Sequence, residues 1–273
     1  MKTIVILTGS EKRHTFFRKY LKNTKGIKLL KSFSESQKGN IQSLVKKDSI
    51  NNDLRTKHLL LRDQVESDFF EVFNDVVQNS NNVFIEKGEI NNKKYVSEII
   101  DLNPDLIISY GCSIIKSNLI SSFKGRFINI HLGISPYYRG AGTNYFPFVN
   151  NELQFVGVTY MFIDKGIDTG NIIHQFRAKM NTCDSIHTIG NRLIKDMAIV
   201  CSELILKFDS INNVKQKITP SEIKRLYRKK DFTEESLRML YNNITKENII
   251  SKYLENKYLI DDKYPIINLK LNK

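Results

Sequence analysis

Residues 104–131 read PDLIISYGCSIIKSNLISSFKGRFINIH. Two short β-branched runs, DLIIS at 105–109 and FINI at 127–130, each fit a buried strand, and Pro104 marks the entry to the first. The same rhythm runs back to the amino terminus. TIVILT at 3–8 reads as a buried strand, Gly9-Ser10 as a turn, and the helix that follows carries Phe16, Phe17, Tyr20 and Leu21 on one face. Residues 27–30 and 83–85 are further strands, and the apolar spacing is helical at 54–77 and 93–101. Residues 34–53 are polar and poorly periodic and are expected to form a long loop. This alternation predicts an α/β fold: a Rossmann-like, mainly parallel sheet with helices on both faces. Such sheets carry their sites at the carboxyl ends of the strands.

Beyond residue 154 the pattern predicts strands at 155–163 and 171–176, then an amphipathic helix at 185–208 that closes a domain over residues 1–208. Residues 209–273 are richer in Lys, Asn and Glu. They are expected to form a small, mostly helical carboxyl-terminal extension, with helical patterns at 221–230 and 233–241 and an apolar run at 265–269. The partly apolar stretch 258–269 could pair two subunits into a homodimer.

The 273 residues are 41% apolar and 10% aromatic, which supports a sizeable core and excludes wholesale disorder. A formal charge of +13 suits a polyanionic partner such as a nucleotide or phosphate, and suits a solvated basic surface equally well. No basic stretch is interleaved with aromatics, so nucleic acid is not the favoured partner. Cys112, Cys183 and Cys201 are widely spaced and odd in number, a pattern of neither a disulfide framework nor a metal site. They fit a reducing cytoplasm. The amino-terminal apolar run is too short for a signal peptide, and no segment is long enough to cross a bilayer. A soluble, cytoplasmic protein with no membrane partner is expected.

The segment 126–140 reads RFINIHLGISPYYRG. Strand alternation places Asn129 and His131 on one face, at the strand's carboxyl end. A carboxamide beside an imidazole can serve a reaction in which charge builds on oxygen while a proton leaves nitrogen. The pair alone also fits an ordinary strand end. The segment 157–170, GVTYMFIDKGIDTG, adds Asp168 in a turn that can aim its carboxylate at His131, orienting the ring and raising its basicity.

Asn-Ile-His, then Ser-Pro-Tyr-Tyr-Arg-Gly, then Gly-Val-Thr and Asp-Lys-Gly-Ile-Asp-Thr-Gly together resemble the formyltransferase family, over roughly residues 104–208. The resemblance implies N10-formyltetrahydrofolate as co-substrate, no metal, and Asn129, His131 and Asp168 as the catalytic set. It places folate contacts on Ser113, Ile114 and Ile115, with Asp164, Gly166 and Asp168 forming the opposite wall. Family members commonly have Ser-Leu-Leu-Pro after the His, where this chain has Gly133-Ile134-Ser135-Pro136. That departure bears on the acceptor rather than on the chemistry.

Acceptor contacts are expected from Ser10, Lys12, Arg13 and His14, which follow the first strand, where an α/β sheet binds anions. Arg62 lies in LRDQVESDFF, which is similar to a phrase in formyltransferases of surface-sugar gene sets, and its spacing to Glu66 is that of a helix-surface ion pair. Tyr138 and Arg139 complete the expected set, while Tyr137, Tyr145 and Phe146 either line the acceptor cleft or pack the loop. His174 and His187 read as structural. The favoured acceptor is a nucleotide-linked amino sugar of surface-polysaccharide synthesis. A methionyl-tRNA formyltransferase is the alternative, although its usual barrel-like carboxyl domain is longer and less helical than residues 209–273. A non-catalytic folate- or nucleotide-binding relative is the third reading. The purine-pathway formyltransferase is disfavoured, since it lacks such an extension and has a more glycine-rich first loop.

Overall fold

A computed structural model describes residues 1–36, 53–78, 81–211, 215 and 225–269. β1 (Lys2–Gly9) alternates its apolar residues between two cores: Ile4 and Ile6 meet one cluster, Val5 and Leu7 the other. Full burial on both faces is why this strand reads as an unbroken apolar run. α1 (Lys12–Lys22) seals the first core with Phe16, Phe17 and Leu21. β2 (Ile27–Glu35) runs parallel to β1 and is longer than the sequence suggests. Its polar end is satisfied by β3 (Asn82–Ile85): Ser32 Oγ donates to Asn82 Oδ1 at 2.9 Å, and Asn82 Nδ2 donates to Ser34 Oγ at 2.7 Å. Residues 34–35 are therefore strand rather than loop. Of the expected 34–53 loop, residues 37–52 lie outside the described residues.

Between β2 and β3 runs α2 (Leu54–Val76), started by Asp53, whose carboxylate accepts from the Thr56 amide at 2.7 Å. α3 (Lys93–Leu102) ends at Asn103, in left-handed conformation just before Pro104. β4 (Leu106–Tyr110), α4 (Ser117–Ser122) and β5 (Phe127–His131) follow. The next connection holds β6 (Tyr138–Gly140) and α5 (Phe146–Val149). β7 (Gly157–Phe162), β8 (Ile172–Arg177) and α6 (Ile186–Leu206) complete the principal layers. A 3-10 turn, rather than strand, occupies Leu153–Phe155.

The sheet order is β3-β2-β1-β4-β5-β7-β8. The pairings among β3, β2, β1, β4 and β5 are parallel; β7 is antiparallel to β5, and β8 to β7. The mainly parallel sheet expected from the sequence is thus present. α1, α2 and α6 supply one core, and Ile99 of α3 and Leu119 of α4 supply the other.

The extension departs from its expected form in one place. The helix expected at 221–230 is instead β9 (Arg225–Tyr227), paired parallel to β6, followed by a 3-10 turn at Lys229–Asp231; residues 221–224 lie outside the described residues. Tertiary contacts override the local pattern: Arg225 pairs with Glu152 at 2.9 Å, and the Tyr227 ring stacks on Phe146 at 3.7 Å. α7 (Glu234–Thr245) and α8 (Ile249–Lys263) follow. The apolar run 265–269 lies along the sheet's own edge, where Gln175 N donates to Ile267 O at 2.6 Å. Of the stretch expected to pair subunits, Tyr258 and Leu259 remain exposed.

Leu237, Leu240, Ile249 and Tyr253 of the extension join the same cluster as Phe148 and Leu193. Leu240 is fully buried, so Leu240→Ala should remove about 2–5 kcal/mol from the unfolding free energy measured in urea, in one cooperative transition. A separate early transition, with the main one unmoved, would show that the extension packs on its own.

Candidate active site

The carboxyl end of β5 carries Asn129 and His131 on the face of Phe127, which packs into the α3–α4 core. Asp168 reaches them from the loop after β7. That loop is cinched by Asp164, whose Oδ1 accepts from Gly166 N at 2.9 Å and Thr169 Oγ1 at 2.8 Å. Its return depends on Gly170, where a Cβ would fall 1.6 Å from Phe162 O. Asp168 adopts left-handed backbone (φ 51°), a conformation Asp tolerates better than most residues.

The three side chains then meet. Asn129 Nδ2 donates to Asp168 Oδ1 at 3.3 Å, and His131 Nδ1 lies 3.2 Å from Asp168 Oδ2. Gly140 N of β6 donates to the same Oδ2 at 2.9 Å, and His131 Nε2 donates to the Tyr138 carbonyl at 2.9 Å. Both ring nitrogens of His131 thus face oxygen acceptors. A neutral imidazole has one N–H and serves one of them; the doubly protonated ring serves both.

Ser109 of β4 was not singled out by the sequence. It pairs in register with Asn129, is 1% exposed, and its hydroxyl donates to Asn129 Oδ1 at 3.0 Å. Because a carboxylate only accepts, Asp168 on one side and Ser109 on the other fix which end of the amide faces which way. The amide keeps a second Nδ2 hydrogen for another acceptor. No local signal marks a serine in a buried strand for this task; only the register reveals it.

The loop after β4 is held by Glu35, which accepts from Ser113 N at 2.6 Å and Gly88 N at 3.0 Å. Ile115 is buried in the core against which Ile163 also packs, while Ile114 and Ile167 are exposed at 72% and 47%. The loops bearing Ser113–Ile115 and Asp164–Asp168 therefore rise from the face that carries Asn129 and His131. They leave apolar side chains in solvent, as suits the walls of an aromatic ligand's cleft. Among the described residues, no group of three or more His, Cys, Asp or Glu is placed to hold a metal ion.

The expected acceptor residues are distributed differently. Ser10 is half-buried at the end of β1. Lys12 lies 3.5 Å from Asp63 and also donates to Ser67. Arg13 is committed to Glu11 and to Glu66, the latter at 2.7 Å. His14 is buried against Tyr110, and burial with Arg13 nearby pushes its pKa well below the usual histidine range. Tyr138 is fully buried with its hydroxyl on Glu152, so its contribution to the site is its backbone carbonyl. Tyr137 stacks on Phe155, and Tyr145 packs against Phe146 and Phe232. Arg62 and Arg139 are half-buried and form no hydrogen bond or ion pair among the described residues. His174 accepts from Leu269 N at 3.0 Å, and burial pushes its pKa down to about 4.

Fold and site together describe an α/β protein with a carboxamide, an imidazole and a carboxylate joined at the sheet's carboxyl edge. The model of the Formyl transferase family matches residues 18–205, and the chain belongs to that family. Among curated relatives, the methionyl-tRNA formyltransferase of Halothermothrix orenii is 29% identical over 140 residues, which is 50% of this chain and 42% of that protein. The match therefore spans less than half the relative's length. Among solved structures, a sugar N-formyltransferase from a Shewanella species superposes with a TM-score of 0.56 at 17% identity, covering 85% of this chain and 78% of that one. A 4-N formyltransferase from Francisella tularensis gives 0.55 at 17% identity, covering 88% and 86%. At these identities the two structures are similar in fold.

Ser109→Ala should lower turnover at this site by about 2–10-fold, the range of one hydrogen bond. Ser109→Thr, which retains the hydroxyl, should restore most of it. Steady-state kinetics check this, and a wild-type kcat in Ser109→Ala would overturn the role.

Proposed function

We propose that this chain is an N-formyltransferase that moves a formyl group from N10-formyltetrahydrofolate to the amine of a nucleotide-linked amino sugar. The observation that carries the chemistry is the hydrogen-bonded set Asn129, His131 and Asp168 at the carboxyl edge of β5. The folate supplies the formyl carbon. Ser113, Ile114 and Ile115 on one side and Asp164, Gly166 and Asp168 on the other would hold it. As the acceptor nitrogen bonds to that carbon, Asn129 donates its remaining Nδ2 hydrogen to the formyl oxygen, where negative charge builds. The proton lost by the nitrogen passes to the His131–Asp168 pair. As the tetrahedral intermediate collapses, the bond between the formyl carbon and N10 breaks and that proton is delivered to N10, so tetrahydrofolate leaves neutral. Asp168 Oδ2 and the Tyr138 carbonyl stand ready to receive both N–H groups of the protonated ring.

The sugar acceptor is favoured by the form of the extension. Its described part is a short strand and two helices that fold back over the first domain: Tyr227 on Phe146, Ser236 on Tyr145, Phe232 and Tyr241 on His58. These contacts close the extension onto the first domain, and the described residues hold no barrel, which supports a small-molecule acceptor. Residues 1–208 would carry catalysis and 209–273 would shape the acceptor side. A cytoplasmic location for surface-polysaccharide synthesis agrees with three free cysteines, and no described helix is long and apolar enough to cross a membrane.

The methionyl-tRNA reading has the H. orenii likeness in its favour. The two readings differ in salt dependence: several tRNA phosphates give a steep loss of binding with salt, and one sugar nucleotide a shallow one. Formylation across a panel of nucleotide-linked amino sugars and charged initiator tRNA decides between them, and product from tRNA alone would reverse the assignment. With the preferred acceptor, Asn129→Ala should lower kcat by about 10²–10³, as for other lost oxyanion donors. Near-normal turnover in a folded Asn129→Ala protein would remove the amide from the mechanism.

A further inference from the structure

Arg62 and Glu66 lie one turn apart on α2, the spacing of an ordinary ion pair. The fold separates them. Glu66 Oε2 takes Arg13 Nη1 at 2.7 Å, its Oε1 takes the Arg13 amide at 2.9 Å, and Glu11 takes the other guanidinium nitrogen. Arg13 and its two carboxylates close on one another, and Arg62 is left with no hydrogen bond or ion pair among the described residues.

Arg62 is not a solvated surface cation. It sits half-buried between His58 and Glu66 on one stripe of α2, and both of those neighbours are buried. Arg13, Glu66 and Glu11, which are engaged with one another, lie within electrostatic reach of it, and its other polar neighbours are uncharged. His58 and His187 lie with ring centroids 4.7 Å apart, and burial holds their pKa values down to about 3 and about 4, so both rings are neutral at physiological pH. His187 Nε2 is buried without a hydrogen-bond partner among the described residues. So is the hydroxyl of Tyr110, a residue 3% exposed whose ring meets His14 at 4.7 Å and which lies within electrostatic reach of Arg62. Buried polar groups left without partners are rare, and here two stand near a guanidinium that makes no hydrogen bond among the described residues.

We propose that Arg62, His187 and Tyr110 form a binding site for one phosphoryl group of the acceptor. The proposal rests on the nucleotide-linked acceptor and assigns its diphosphate a place. A guanidinium fork matches two phosphoryl oxygens. A carboxylate would spend both of its oxygens on that fork, whereas a tetrahedral phosphoryl group keeps others for an imidazole N–H and a phenol. Tyr110 and Leu59 belong to the α1–α2–α6 core, while Ile115 of the folate loop belongs to the α3–α4 core. The acceptor's phosphoryl group and the folate thereby approach from opposite faces of the sheet and converge at its carboxyl edge.

Calorimetric titration of inorganic pyrophosphate and of UDP into wild type and Arg62→Gln tests the site without any turnover. Both probes should bind wild type, and both should bind Arg62→Gln about 10–100-fold more weakly, the range of a lost charge-assisted pair. Tetrahydrofolate affinity should be unchanged. Failure of pyrophosphate and UDP to bind wild type, or equal binding by the variant, would overturn the proposal. If Arg62→Gln also loses tetrahydrofolate, Arg62→Lys decides, since it keeps the charge and loses the fork. Weaker pyrophosphate binding with normal folate binding supports the site, and unchanged binding rejects it. If no nucleotide sugar is formylated although UDP binding still needs Arg62, the acceptor reading fails and the anion site stands.

Discussion

The Asp168 carboxylate ties together three stretches of chain that are otherwise unconnected at this point. Its Oδ1 holds Asn129, and its Oδ2 holds both His131 and the amide of Gly140. The last contact reaches beyond the proposed catalytic set. Gly140 belongs to β6, and β6 pairs with β9 at the start of the extension, where Ala141 N also donates to Tyr227 O at 2.9 Å. One acidic side chain thus fixes the amide and the ring and ties them to the carboxyl-terminal extension. A left-handed aspartate at a half-buried turn is costly to hold in isolation. Gly170 makes the turn sterically feasible, and the Asp164 clamp makes it rigid.

A second layer stabilises the loop that follows His131. Thr159 lies opposite His131 in the β5–β7 register, donates to Gly133 O at 2.7 Å and accepts from Ser135 N at 3.0 Å. Gln175 donates to Ser135 O at 2.8 Å and accepts from Ile267 N at 3.1 Å. These groups are buried and satisfied, so the loop between His131 and β6 is specified by a connected polar network rather than by apolar packing alone. It is the same loop in which the chain departs from the usual Ser-Leu-Leu-Pro. Ser135 uses its backbone here, not its hydroxyl, which has no partner among the described residues.

Strands buried on both faces were legible because their composition admits little else: β1, β4 and β5 could be placed to within a residue or two. The end of β2 was not, since Ser32 and Ser34 look like loop until Asn82 of β3 is beside them. β9 was misread as helix because three residues with mixed side chains carry no period, and a stacked Tyr227 and a paired Arg225 decide the outcome. Asn129 and His131 followed from alternation. Asp168 needed the family resemblance, because nothing local says where a loop returns. Ser109 was invisible for the reason that register is a property of two strands.

Arg62 shows the same limit acting on charge. Helical spacing gives Glu66 to Arg62, and an isolated helix would form that pair for a few tenths of a kcal/mol. Docking α2 against α1 brings Arg13 to Glu66 with both a guanidinium and a backbone amide, a stronger claim on one carboxylate. The direct local pair gives way to a longer-range attraction between Arg62 and Glu66, and the guanidinium is left half-buried beside two imidazoles that burial keeps neutral. Protonating those rings would add like charge around Arg62, and the burial that lowers their pKa values avoids it. The neutrality of His58 and His187, which reads as ordinary core packing residue by residue, spares Arg62 further like charge while Glu66 and Glu11 attract it.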